Sequence, residues 1–576
     1  MGRLSQYFDI KTDVQGNEYM EVYLEGIALL RLALTNKGTA FTQQERIELG
    51  LDGLLPPQVN TIDQQLERVY RGYQREVSDI ARYQYLRALQ ERSEILFYAL
   101  LVRHLEEMLP IVYTPTVGQA VQEYSYLYQS PRGLSLSPLN IDRSIDLVER
   151  YPMSEVRMIV ATDSSAILGI GDQGYGGLAI AIGKLALYAA GGGVSPFHTM
   201  PVNLDVGTDR LDLIEDPSYL GVRQPRLRGD AYLNFLDKFV GAIKSRWPHA
   251  VIQWEDLSKN VAFDVLQRYR DEIASFNDDI QGTGATALAG MLSACRLIGQ
   301  SLTEQTIVVL GAGAGGIGVA DALCEGMIRE GLSRADAERR VLVLDSHGLL
   351  LEGRANTDAY KRAHAQKRTL IEDWRIADEV PNLLEVIENA RATALIGLSG
   401  QAGAFTQPLV AAMCRNAKRP IIFPLSNPTS IIEALPEDVL TWTEGRAVVA
   451  TGSPFEDVEY DGKMYAIGQG NNAFIFPGLG FAAILSECEK ITDNMVLESA
   501  YALADYTATN HLETGRVYPP ARELQEVSIS VATRVIRYAL EEGVARNTAL
   551  SDCDVDAYVR SRFWHPRHLP FARGKN

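Results

Sequence analysis

The sequence predicts an α/β fold with a helical N-terminal region, a central parallel α/β domain, a second domain built on a parallel sheet, and a helical C-terminal segment. In the first part, apolar residues recur three and four positions apart through helix-forming residues from about 62 to 109. After Val156, short apolar runs that end in glycine alternate with helical patterns, which is typical of a parallel sheet. A chain of 576 residues is long enough for two to four domains.

The composition excludes several classes of protein. A hydrophobic content of 46% with 22% charged residues is that of an ordinary globular protein, and no apolar run approaches the roughly 20 residues of a membrane span. The N-terminus lacks the apolar segment of a secretory leader, and Gln6 stands where myristoylation needs Ser or Thr. The net charge of −18 opposes nucleic acid and acidic membranes as partners, although a local basic pocket can still bind a small anion. The five scattered cysteines indicate reduced thiols, so we expect a cytoplasmic protein.

The N-terminal region is expected to consist of helices joined by short turns. Thr42 is a favourable N-cap for a short helix, and Pro110 is expected to end the last long helix. The turn Tyr113-Thr-Pro-Thr-Val-Gly118 then leads into a new helix. Taken alone, a tyrosine at such a junction is most often a half-buried packing residue. The predicted helices cover residues 21–34, 43–49, 64–82 and 85–109.

The central domain carries a glycine-rich turn and one isolated lysine. A strand is predicted at 156–161, and Gly169-Ile-Gly-Asp-Gln-Gly174 follows it as a tight turn near the active site, since its match to a nucleotide motif is weak. Lys184, in the next helix, is the only Lys or Arg between Arg157 and Arg210. A lone lysine usually extends to solvent along its stem. In an apolar wall near carboxylates, however, desolvation would lower its pKa towards that of a general base.

Two pairs of adjacent acids stand at the ends of predicted elements. Asp278 and Asp279 precede a Gly-Thr-Gly turn into an Ala-rich helix, whereas Glu255 and Asp256 end an apolar strand that begins near residue 250. No cysteine lies close to either pair, and the one nearby histidine is at the far end of that strand. An all-oxygen set of ligands suits Mg²⁺ or Mn²⁺ rather than zinc. The alternative is that these acids are helix caps and surface charges.

The strongest local signal is Gln305-Thr-Ile-Val-Val-Leu-Gly-Ala-Gly-Ala-Gly-Gly-Ile-Gly318, an apolar strand that runs through glycines into a helix. The glycines at the fingerprint spacing are Gly311, Gly313 and Gly316. They allow a tight turn and close backbone approach, while the helix N-terminus holds a pyrophosphate. A second strand ends at Asp345, the acid expected on the ribose hydroxyls, and a long helix at 319–340 explains its late position. The pattern predicts a Rossmann-type dinucleotide-binding domain.

Later strand-like runs also end in polar residues. In a doubly wound sheet, ligands bind beyond the carboxyl ends of the strands, so these residues are candidates for ligand contacts. They are Ser399, Asn427 and Thr451. An Asn before Pro is also a common turn former, which is the simpler interpretation of Asn427. From Phe481 the pattern is helical again, and the tail at 563–568 has no assignable pattern.

Three motifs together closely resemble the malic enzymes. They are Ile111-Val-Tyr-Thr-Pro-Thr-Val-Gly118, Glu255-Asp256 and Asn277-Asp-Asp-Ile-Gln-Gly-Thr283. The resemblance runs from about Asn36 to about Thr492. Lys184 matches the catalytic lysine of the family, and two asparagine-containing segments match others of its motifs. These segments are Ser426-Asn-Pro-Thr429 and Gly468-Gln-Gly-Asn-Asn-Ala-Phe-Ile-Phe-Pro-Gly478.

The resemblance implies a reaction and a role for each matched residue. Lys184 would remove the proton of the C2 hydroxyl of L-malate while hydride passes to NAD, Tyr113 would protonate C3 of enolpyruvate, and Asp278 would orient Lys184. A divalent ion would polarise the C2 carbonyl as CO₂ leaves. Its implied ligands are Glu255, Asp256 and Asp279. The implied substrate-binding residues are Asn427, Asn471 and Asn472, of which Asn427 would also contact the cofactor.

The same resemblance sets the expected domains and assembly. We predict a helical region at 1–130, a central catalytic domain at 131–280, an NAD-binding domain at 281–470, and a segment at 471–576 that packs back on the catalytic domain. The malic enzyme N-terminal domain would cover about 80–270. Family analogy implies a homodimer or homotetramer that binds L-malate and neither nucleic acid nor membrane.

One position departs from the family pattern. Most malic enzymes carry Gly-Glu-Arg before Ile-Leu-Gly, and that arginine grips malate, whereas the aligned residue here is Ala166, which cannot make a bidentate contact. Malolactic enzymes, which convert L-malate to L-lactate and CO₂ with bound NAD, also carry a small residue there. They usually read Tyr-Asp-Pro where this chain keeps Tyr-Thr-Pro. We favour oxidative decarboxylation to pyruvate, with malolactic chemistry as the alternative and a non-catalytic family member as a third hypothesis.

The choice of cofactor rests on the end of the second strand of the dinucleotide domain. Asp345 favours NAD because it would repel the 2′-phosphate of NADP. Ser346 and Lys361 lie near the positions that hold this phosphate in NADP-using relatives. NAD is therefore the expected cofactor and NADP the alternative.

Overall fold

The computed structural model describes residues 3–167, 169–355 and 357–575. The strands are β1 (Phe8–Thr12), β2 (Glu18–Val22), β3 (Leu134–Leu136), β4 (Met158–Thr162), β5 (Thr199–Leu204), β6 (Val251–Glu255), β7 (Ser275–Asn277), β8 (Ile307–Leu310), β9 (Val341–Asp345), β10 (Gly348–Leu349), β11 (Ala394–Gly397), β12 (Ile421–Pro424), β13 (Val448–Thr451), β14 (Val458–Tyr460), β15 (Lys463–Tyr465), β16 (Gly468–Gln469) and β17 (Phe571–Arg573). The helices are α1 (Gly26–Arg31), α2 (Gln43–Glu48), α3 (Ile62–Tyr73), α4 (Asp79–Arg92), α5 (Glu94–Arg103), α6 (Leu105–Val112), α7 (Thr116–Gln122), α8 (Tyr124–Leu127), α9 (Ser144–Glu149), α10 (Leu178–Ala190), α11 (Leu211–Glu215), α12 (Gly229–Arg246), α13 (Ala262–Tyr269), α14 (Thr283–Ile298), α15 (Ala314–Arg329), α16 (Arg334–Arg340), α17 (Leu383–Ala390), α18 (Gln407–Asn416), α19 (Pro436–Trp442), α20 (Phe476–Ser486), α21 (Asp493–His511), α22 (Leu524–Glu541) and α23 (Val555–Arg562).

The chain divides into two compact units. The first comprises Met1–Gln253 and Ser561–Asn576, and the second comprises Trp254–Arg560. In the first unit, the two ends of the chain share one small sheet, because β1 pairs antiparallel with β2, and β17 pairs parallel with β2. The buried Lys37 ammonium group donates to Glu45 (2.6 Å) and to the Leu569 carbonyl (3.0 Å), which holds the C-terminal tail against the N-terminal helices.

The predicted helical N-terminal region is confirmed from Gly26 onward, but its breaks differ from the prediction. Helix 21–34 begins later than expected because Glu21 and Val22 pair in β2. The run predicted as two long helices contains α3 to α6. Ser78 caps α4 by accepting from the Ala81 N–H, so the first break falls at 74–78. Pro110 was expected to end the helix, but it lies inside α6, which continues to Val112. Because proline has no N–H, the helix lacks one backbone hydrogen bond at this position.

A parallel sheet in the first unit carries the catalytic candidates of that unit. Strands β3, β5 and β4 pair in that order, all parallel, and β4 is buried along its whole length. All thirteen residues of α10 are buried, and this helix packs on β4 and β5. The Val251 N–H donates to the Arg157 carbonyl (2.9 Å), so β6 starts beside β4. The expected strand and small-residue helix of the central domain are therefore confirmed.

The second unit contains a seven-stranded sheet of the expected Rossmann type. Its order is β10-β9-β8-β11-β12-β13-β16, and every pair is parallel except β10 with β9. Strand order reverses between β8 and β11, which is the point where such sheets bind a dinucleotide. The predicted helix at 319–340 is two helices instead, α15 and α16, because Gly331 (φ +105°) breaks the first and Ser333 caps the second.

The C-terminal part of the second unit is helical, as expected. Helices α20 and α21 pack on α22, and α21 also packs on α14. The buried Tyr518 hydroxyl donates to the Thr286 carbonyl (2.8 Å) in α14. Within the three described stretches, no helix is both long and apolar enough to cross a membrane. All five cysteines fall in the described residues and are free, and burial raises the pKa of the Cys295, Cys324 and Cys488 thiols to about 12.

Candidate functional site

In the first unit, the structure brings Tyr113 and Lys184 together. Tyr113 ends α6, where its N–H donates to the Leu109 carbonyl (3.0 Å), and its side chain is half-buried. Lys184 lies in the middle of α10 and is only 1% exposed. Its Nζ is 5.7 Å from the centre of the Tyr113 ring. The lysine therefore does not extend to solvent, which favours the interpretation of Lys184 as a functional residue.

Gly183, which the sequence analysis did not single out, permits this approach. A Cβ at Gly183 would lie 2.6 Å from the Val112 carbonyl oxygen and 3.7 Å from Cδ2 of Tyr113. Contacts as short as the first do not occur in proteins, so a larger residue would push α10 away from the end of α6. The position of Gly183 directly before Lys184 was the only sequence signal for this role.

Ala166 lies in the loop that follows β4, where the arginine of the family motif was expected. Its side chain is half-buried. Arg226 donates to the Asp163 backbone carbonyl (2.9 Å) and, through Nε, to the Asp172 carboxylate (2.8 Å). The Tyr232 hydroxyl donates to the Asp163 carboxylate (2.8 Å). Arg226 is thus engaged in holding the loop.

The pairing with Arg226 also sets the ionisation of Asp172. Burial favours the neutral acid, but hydrogen bonds from Arg226 and from the Asp209 and Gly174 N–H groups outweigh it and hold the pKa of Asp172 below its ordinary value. The loop between β4 and α10 therefore rests on a charged pair that persists at neutral pH.

In the second unit, Glu255 and Asp256 occupy the end of β6. Both are buried, with 3% and 4% exposure. Asp256 adopts φ +54°, a left-handed conformation that is rare for residues other than glycine. Its N–H donates to the Asp279 carboxylate (2.7 Å). Such backbone strain is maintained only where surrounding contacts fix it, and it is frequent at functional sites.

Asp278 and Asp279 belong to a short π-helical turn, Asp278–Gly282, between β7 and α14. The Asn277 side chain caps the turn by accepting from the Ile280 N–H (3.0 Å). Turns of this type are rare in proteins as a whole, but those that occur are often at functional sites. Here the turn brings Asp279 to the end of β6.

The three predicted metal ligands form one cluster. One carboxylate oxygen each from Glu255, Asp256 and Asp279 lies within 4.8 Å of the other two. Oxygen ligands of Mg²⁺ stand about 2.0–2.1 Å from the ion, so opposite ligands are roughly 4.2 Å apart. Three acids at this spacing repel one another unless a cation or a proton compensates them. The donor set therefore fits Mg²⁺ or Mn²⁺, and it includes no histidine or cysteine.

Asp278 lies beside this cluster in a separate set of hydrogen bonds. Asn472 donates through Nδ2 to the Asp278 carboxylate (3.1 Å) and to the Thr283 hydroxyl (3.0 Å). A Cβ at Gly282 would lie 1.9 Å from Oδ1 of Asp278, so only glycine leaves room for this buried carboxylate. Asn472 was predicted as a substrate contact, and the structure adds that it positions Asp278.

The fingerprint glycines serve three different purposes. Gly311 has φ +118°, and a Cβ there would lie 2.3 Å from the Leu398 carbonyl oxygen. A Cβ at Gly316 would lie 1.8 Å from the Gly311 carbonyl oxygen, which shows how closely α15 approaches the turn. At Gly313, no described atom lies within 4 Å of an added Cβ, and no described side chain caps α15. The free N-terminus of α15 is therefore suited to a pyrophosphate.

Two further glycines place the acidic turn against this helix. A Cβ at Gly318 would lie 2.2 Å from the Ile280 carbonyl oxygen, and one at Gly284 would lie 2.4 Å from the Gly318 carbonyl oxygen. Helices α14 and α15 thus approach as closely as their backbones allow. Both glycines lie in motifs that the sequence analysis quoted, but it gave neither of them this packing role.

Asp345 ends β9, as predicted, and is surrounded by cationic groups. Arg354 binds its carboxylate directly, Lys361 lies 3.5 Å away, and the His347 N–H donates to it (2.9 Å). Burial opposes ionisation, but these hydrogen bonds and charges hold the pKa of Asp345 below its ordinary value. Ser346 is exposed in the turn after β9. The acid is thus ionised and charge-balanced, and Arg354 is a neighbour that the sequence analysis did not identify.

The remaining predicted residues follow strands of the same sheet. Asn427 lies after β12, and its Oδ1 accepts from the Ser453 hydroxyl (2.5 Å), which fixes the orientation of its amide. Thr451 is fully buried and donates to the Ser453 carbonyl (2.8 Å). Asn471 caps the short turn that begins at Asn472. Tyr113 and Lys184 belong to the first unit, and all other predicted site residues belong to the second.

Comparisons with known proteins identify the family of the chain. Two family models match the chain, "Malic enzyme, N-terminal domain" over 90–270 and "Malic enzyme, NAD binding domain" over 280–540. The NAD-dependent malic enzyme of Acinetobacter baylyi is 45% identical over 548 residues, covering 95% of this chain and 96% of the relative. That of Pseudomonas savastanoi is 44% identical over 549 residues, covering 95% and 97%.

Solved structures support the fold. The Entamoeba histolytica malic enzyme matches with a TM-score of 0.57 and 21% identity, covering 89% of this chain and 90% of that one. The Pyrococcus horikoshii malic enzyme matches with a TM-score of 0.52 and 23% identity, covering 79% and 89%. These identities speak for the fold alone. Because curated relatives are 44–45% identical across almost the whole chain, this protein belongs to the malic enzyme family.

Proposed function

We propose that the chain is an NAD-dependent malic enzyme, which oxidatively decarboxylates L-malate to pyruvate and CO₂ while NAD is reduced. The observation that carries this proposal is the 45% identity with an NAD-dependent malic enzyme over 95% of the chain. The cluster of Glu255, Asp256 and Asp279 and the glycine turn before α15 support it independently.

The proposed proton transfers belong to the two residues that meet in the first unit. Lys184 takes the proton of the C2 hydroxyl as C2 is oxidised, and NAD supplies the hydride acceptor. Tyr113 returns a proton to C3 after CO₂ has left. Burial of Lys184 keeps its amine from water, and the Tyr113 ring beside it restricts its movement. The catalytic role of Asp278 stays a prediction.

The reaction is proposed to depend on Mg²⁺ or Mn²⁺ held by Glu255, Asp256 and Asp279. Such an ion would polarise the C2 oxygen and take up charge during decarboxylation. Asn427, Asn471 and Asn472 are the proposed substrate contacts. Asn427 lies in the loop after β12, and Asn471 and Asn472 lie just after β16.

NAD is the proposed cofactor, with NADP as the alternative. Asp345 remains ionised and can accept hydrogen bonds from the ribose hydroxyls, which supports NAD. Arg354 and Lys361 balance the charge of Asp345. How strongly these two cations attract a 2′-phosphate therefore decides how strictly NADP is rejected.

Three further properties are proposed from the sequence and the family. We propose a cytoplasmic location, a homodimer or homotetramer, and the four-part division of the chain at about residues 130, 280 and 470. Gel filtration with light scattering would measure the assembly directly.

A malolactic outcome is the second candidate because Ala166 stands where most malic enzymes carry an arginine. Purified protein with L-malate, NAD⁺ and Mn²⁺ distinguishes the two when NADH, pyruvate and lactate are assayed in one reaction. We expect NADH and pyruvate in equal amounts, and no activity after EDTA treatment until Mn²⁺ is restored. Lactate without free NADH would contradict the oxidative proposal.

Replacement of Lys184 tests the proposed base. Lys184→Met keeps a long apolar stem in α10, so we expect kcat to fall by about 10³-fold, within the range of general acid–base catalysis, while the NAD⁺ affinity stays unchanged. Lys37→Met is the matched control, because Lys37 is also a buried lysine of the first unit and pairs with Glu45, which is not a proposed site residue. That control should lose stability and retain turnover. Undiminished turnover in Lys184→Met would remove the assignment.

A further inference from the structure

We propose that Glu433 is a positioning residue that shapes the nicotinamide half of the NAD site. This inference rests on the proposed function, because it assigns a role within the cofactor site. Glu433 lies between β12 and α19 and is 0% exposed, and the sequence gives no signal for it. Its importance follows from the groups that its carboxylate binds.

The Glu433 carboxylate accepts hydrogen bonds from two loops at once. Ser399, in the loop after β11, donates its N–H (2.9 Å) and its hydroxyl (2.8 Å). Ser426, in the loop after β12, donates its N–H (3.3 Å) and its hydroxyl (2.5 Å). The Gly400 N–H also donates to the Ser426 hydroxyl oxygen (2.9 Å). One buried carboxylate therefore holds both loops in a single arrangement.

The surrounding backbone is built to admit this carboxylate. A Cβ at Gly397, the last residue of β11, would lie 2.5 Å from Cδ of Glu433. The same loop touches the pyrophosphate turn, because a Cβ at Gly311 would lie 2.3 Å from the Leu398 carbonyl oxygen. The Ser399 loop therefore lies beside the turn proposed to hold the cofactor.

The loop after β12 carries the residue that is proposed to contact both substrate and cofactor. Ser426 directly precedes Asn427, whose Oδ1 accepts from the Ser453 hydroxyl (2.5 Å). Asn427 therefore presents Nδ2 as its donor. Glu433 fixes the backbone on one side of Asn427, and Ser453 fixes its amide.

The strand order assigns this network to one end of the dinucleotide. The sheet reverses direction between β8 and β11, and Asp345 on β9 marks the adenosine side. Strands β11 and β12 lie on the other side of the reversal. The loops held by Glu433 consequently face the nicotinamide end.

The test compares two ligands on the Glu433→Gln variant. Glutamine keeps the shape of the side chain but turns one acceptor oxygen into a donor that faces the Ser399 or Ser426 N–H. Calorimetric titration without malate should show the Kd for NAD⁺ rising by about tenfold, the size expected for loss of a buried hydrogen bond to a charged group. The Kd for ADP, which fills only the adenosine side and the pyrophosphate turn, should change less than twofold.

Glu498→Gln is the matched control for a buried acid of the same unit. Glu498, on α21, is 3% exposed and paired with Arg329 and Arg534. It should lower the thermal midpoint while the affinities for NAD⁺ and ADP stay unchanged. If Glu433→Gln does not fold, the variants Ser399→Ala and Ser426→Ala replace it in this test. Each removes one hydroxyl that binds Glu433, so the Kd for NAD⁺ should rise severalfold while the Kd for ADP stays unchanged.

Equal weakening of NAD⁺ and ADP, or unchanged NAD⁺ affinity in a folded variant, would overturn the role of Glu433. Binding is measured without turnover, so this result is independent of the reaction. A wild-type chain that binds NAD⁺ and ADP but does not oxidise malate would contradict the proposed function alone.

Discussion

The second unit contains a cluster of three acids and one separate acid, both near the ends of strands but in opposite surroundings. Carboxylate oxygens of Glu255, Asp256 and Asp279 converge on one another within 4.8 Å. Asp345, in contrast, is bound by Arg354 and flanked by Lys361. Converging acids bind a cation, whereas a charge-balanced acid offers hydrogen-bond acceptors to hydroxyl groups. One unit thus contains a proposed metal site and a proposed ribose site made from the same chemical group.

This difference predicts that the two groups can be disabled separately. A change in the acidic cluster should affect the metal ion and leave the dinucleotide in place. A change at Asp345 should affect the dinucleotide and leave the metal ion in place. The following predictions run from the largest expected effect to the smallest.

Asp279→Asn removes one charge from the cluster and should have the largest effect. Because metal polarisation contributes several kcal/mol to such reactions, we expect kcat to fall by about 10³-fold or more at saturating Mn²⁺. Titration with Mn²⁺, followed by electron paramagnetic resonance, should show weakened binding. The Kd for NAD⁺ should change less than threefold. Unaltered Mn²⁺ affinity would show that the cluster is not the metal site.

Asp345→Asn should give the reverse pattern with a smaller effect. Loss of a charged acceptor for the ribose hydroxyls should raise the KM for NAD⁺ by roughly tenfold, the size of a hydrogen bond to a charged group. Arg354 and Lys361 would keep their positive charge, so the KM for NADP⁺ should fall or stay constant. Mn²⁺ affinity should not change. A selective loss of Mn²⁺ affinity would break the division between the two groups.

Asp172 extends the comparison to the first unit and should have the smallest effect. Its pairing with Arg226 resembles that of Asp345 with Arg354, and its side chain is 15% exposed. We expect Asp172→Asn to cost about 2 kcal/mol of stability at pH 7, because it weakens a buried charged hydrogen bond. The folded-state pKa lies below the ordinary value of 3.8, so this difference should persist above pH 4. It should fade as the pH falls through 3.8 and vanish below the folded-state pKa.

Thermal unfolding of both proteins between pH 7 and pH 3 measures this dependence. Asp142→Asn is a suitable control, because Asp142 also pairs with a cation, Lys238, but is 79% exposed. Exposed pairs contribute roughly 0–1 kcal/mol, so this variant should behave almost as the wild type. A difference between Asp172→Asn and wild type that grew at low pH would contradict the assignment.

Features that depend on neighbouring residues in the sequence were predicted well. Strand β9 ends at Asp345 and α14 follows the acidic pair, both as predicted, because hydrophobic periodicity and glycine spacing are local properties. The acidic pairs and the glycine turn stand at the ends of such elements. The two acid pairs could be recognised as candidate metal ligands from the sequence, and the resemblance to the malic enzymes then implied Glu255, Asp256 and Asp279 as the ligand set.

Features that depend on distant partners were missed. The last two residues of β2, Glu21 and Val22, were predicted as the start of a helix. The pairing of β2 with β17, which joins the two ends of the chain, leaves no local signal in the sequence. Glu433 and Arg354 act through side chains that meet only in the folded protein. Gly282 and Gly318 lie in motifs that the sequence analysis quoted, but their need for a missing Cβ follows from tertiary packing.

The central claim is that malate is oxidised with release of reduced NAD, and isotope transfer from L-[2-²H]malate tests it most directly. Mass spectrometry should find deuterium in free NADH, in the same amount as the pyruvate formed and only when Mn²⁺ is present. Deuterium at C2 of lactate, without labelled free NADH, would contradict this account and establish malolactic chemistry instead.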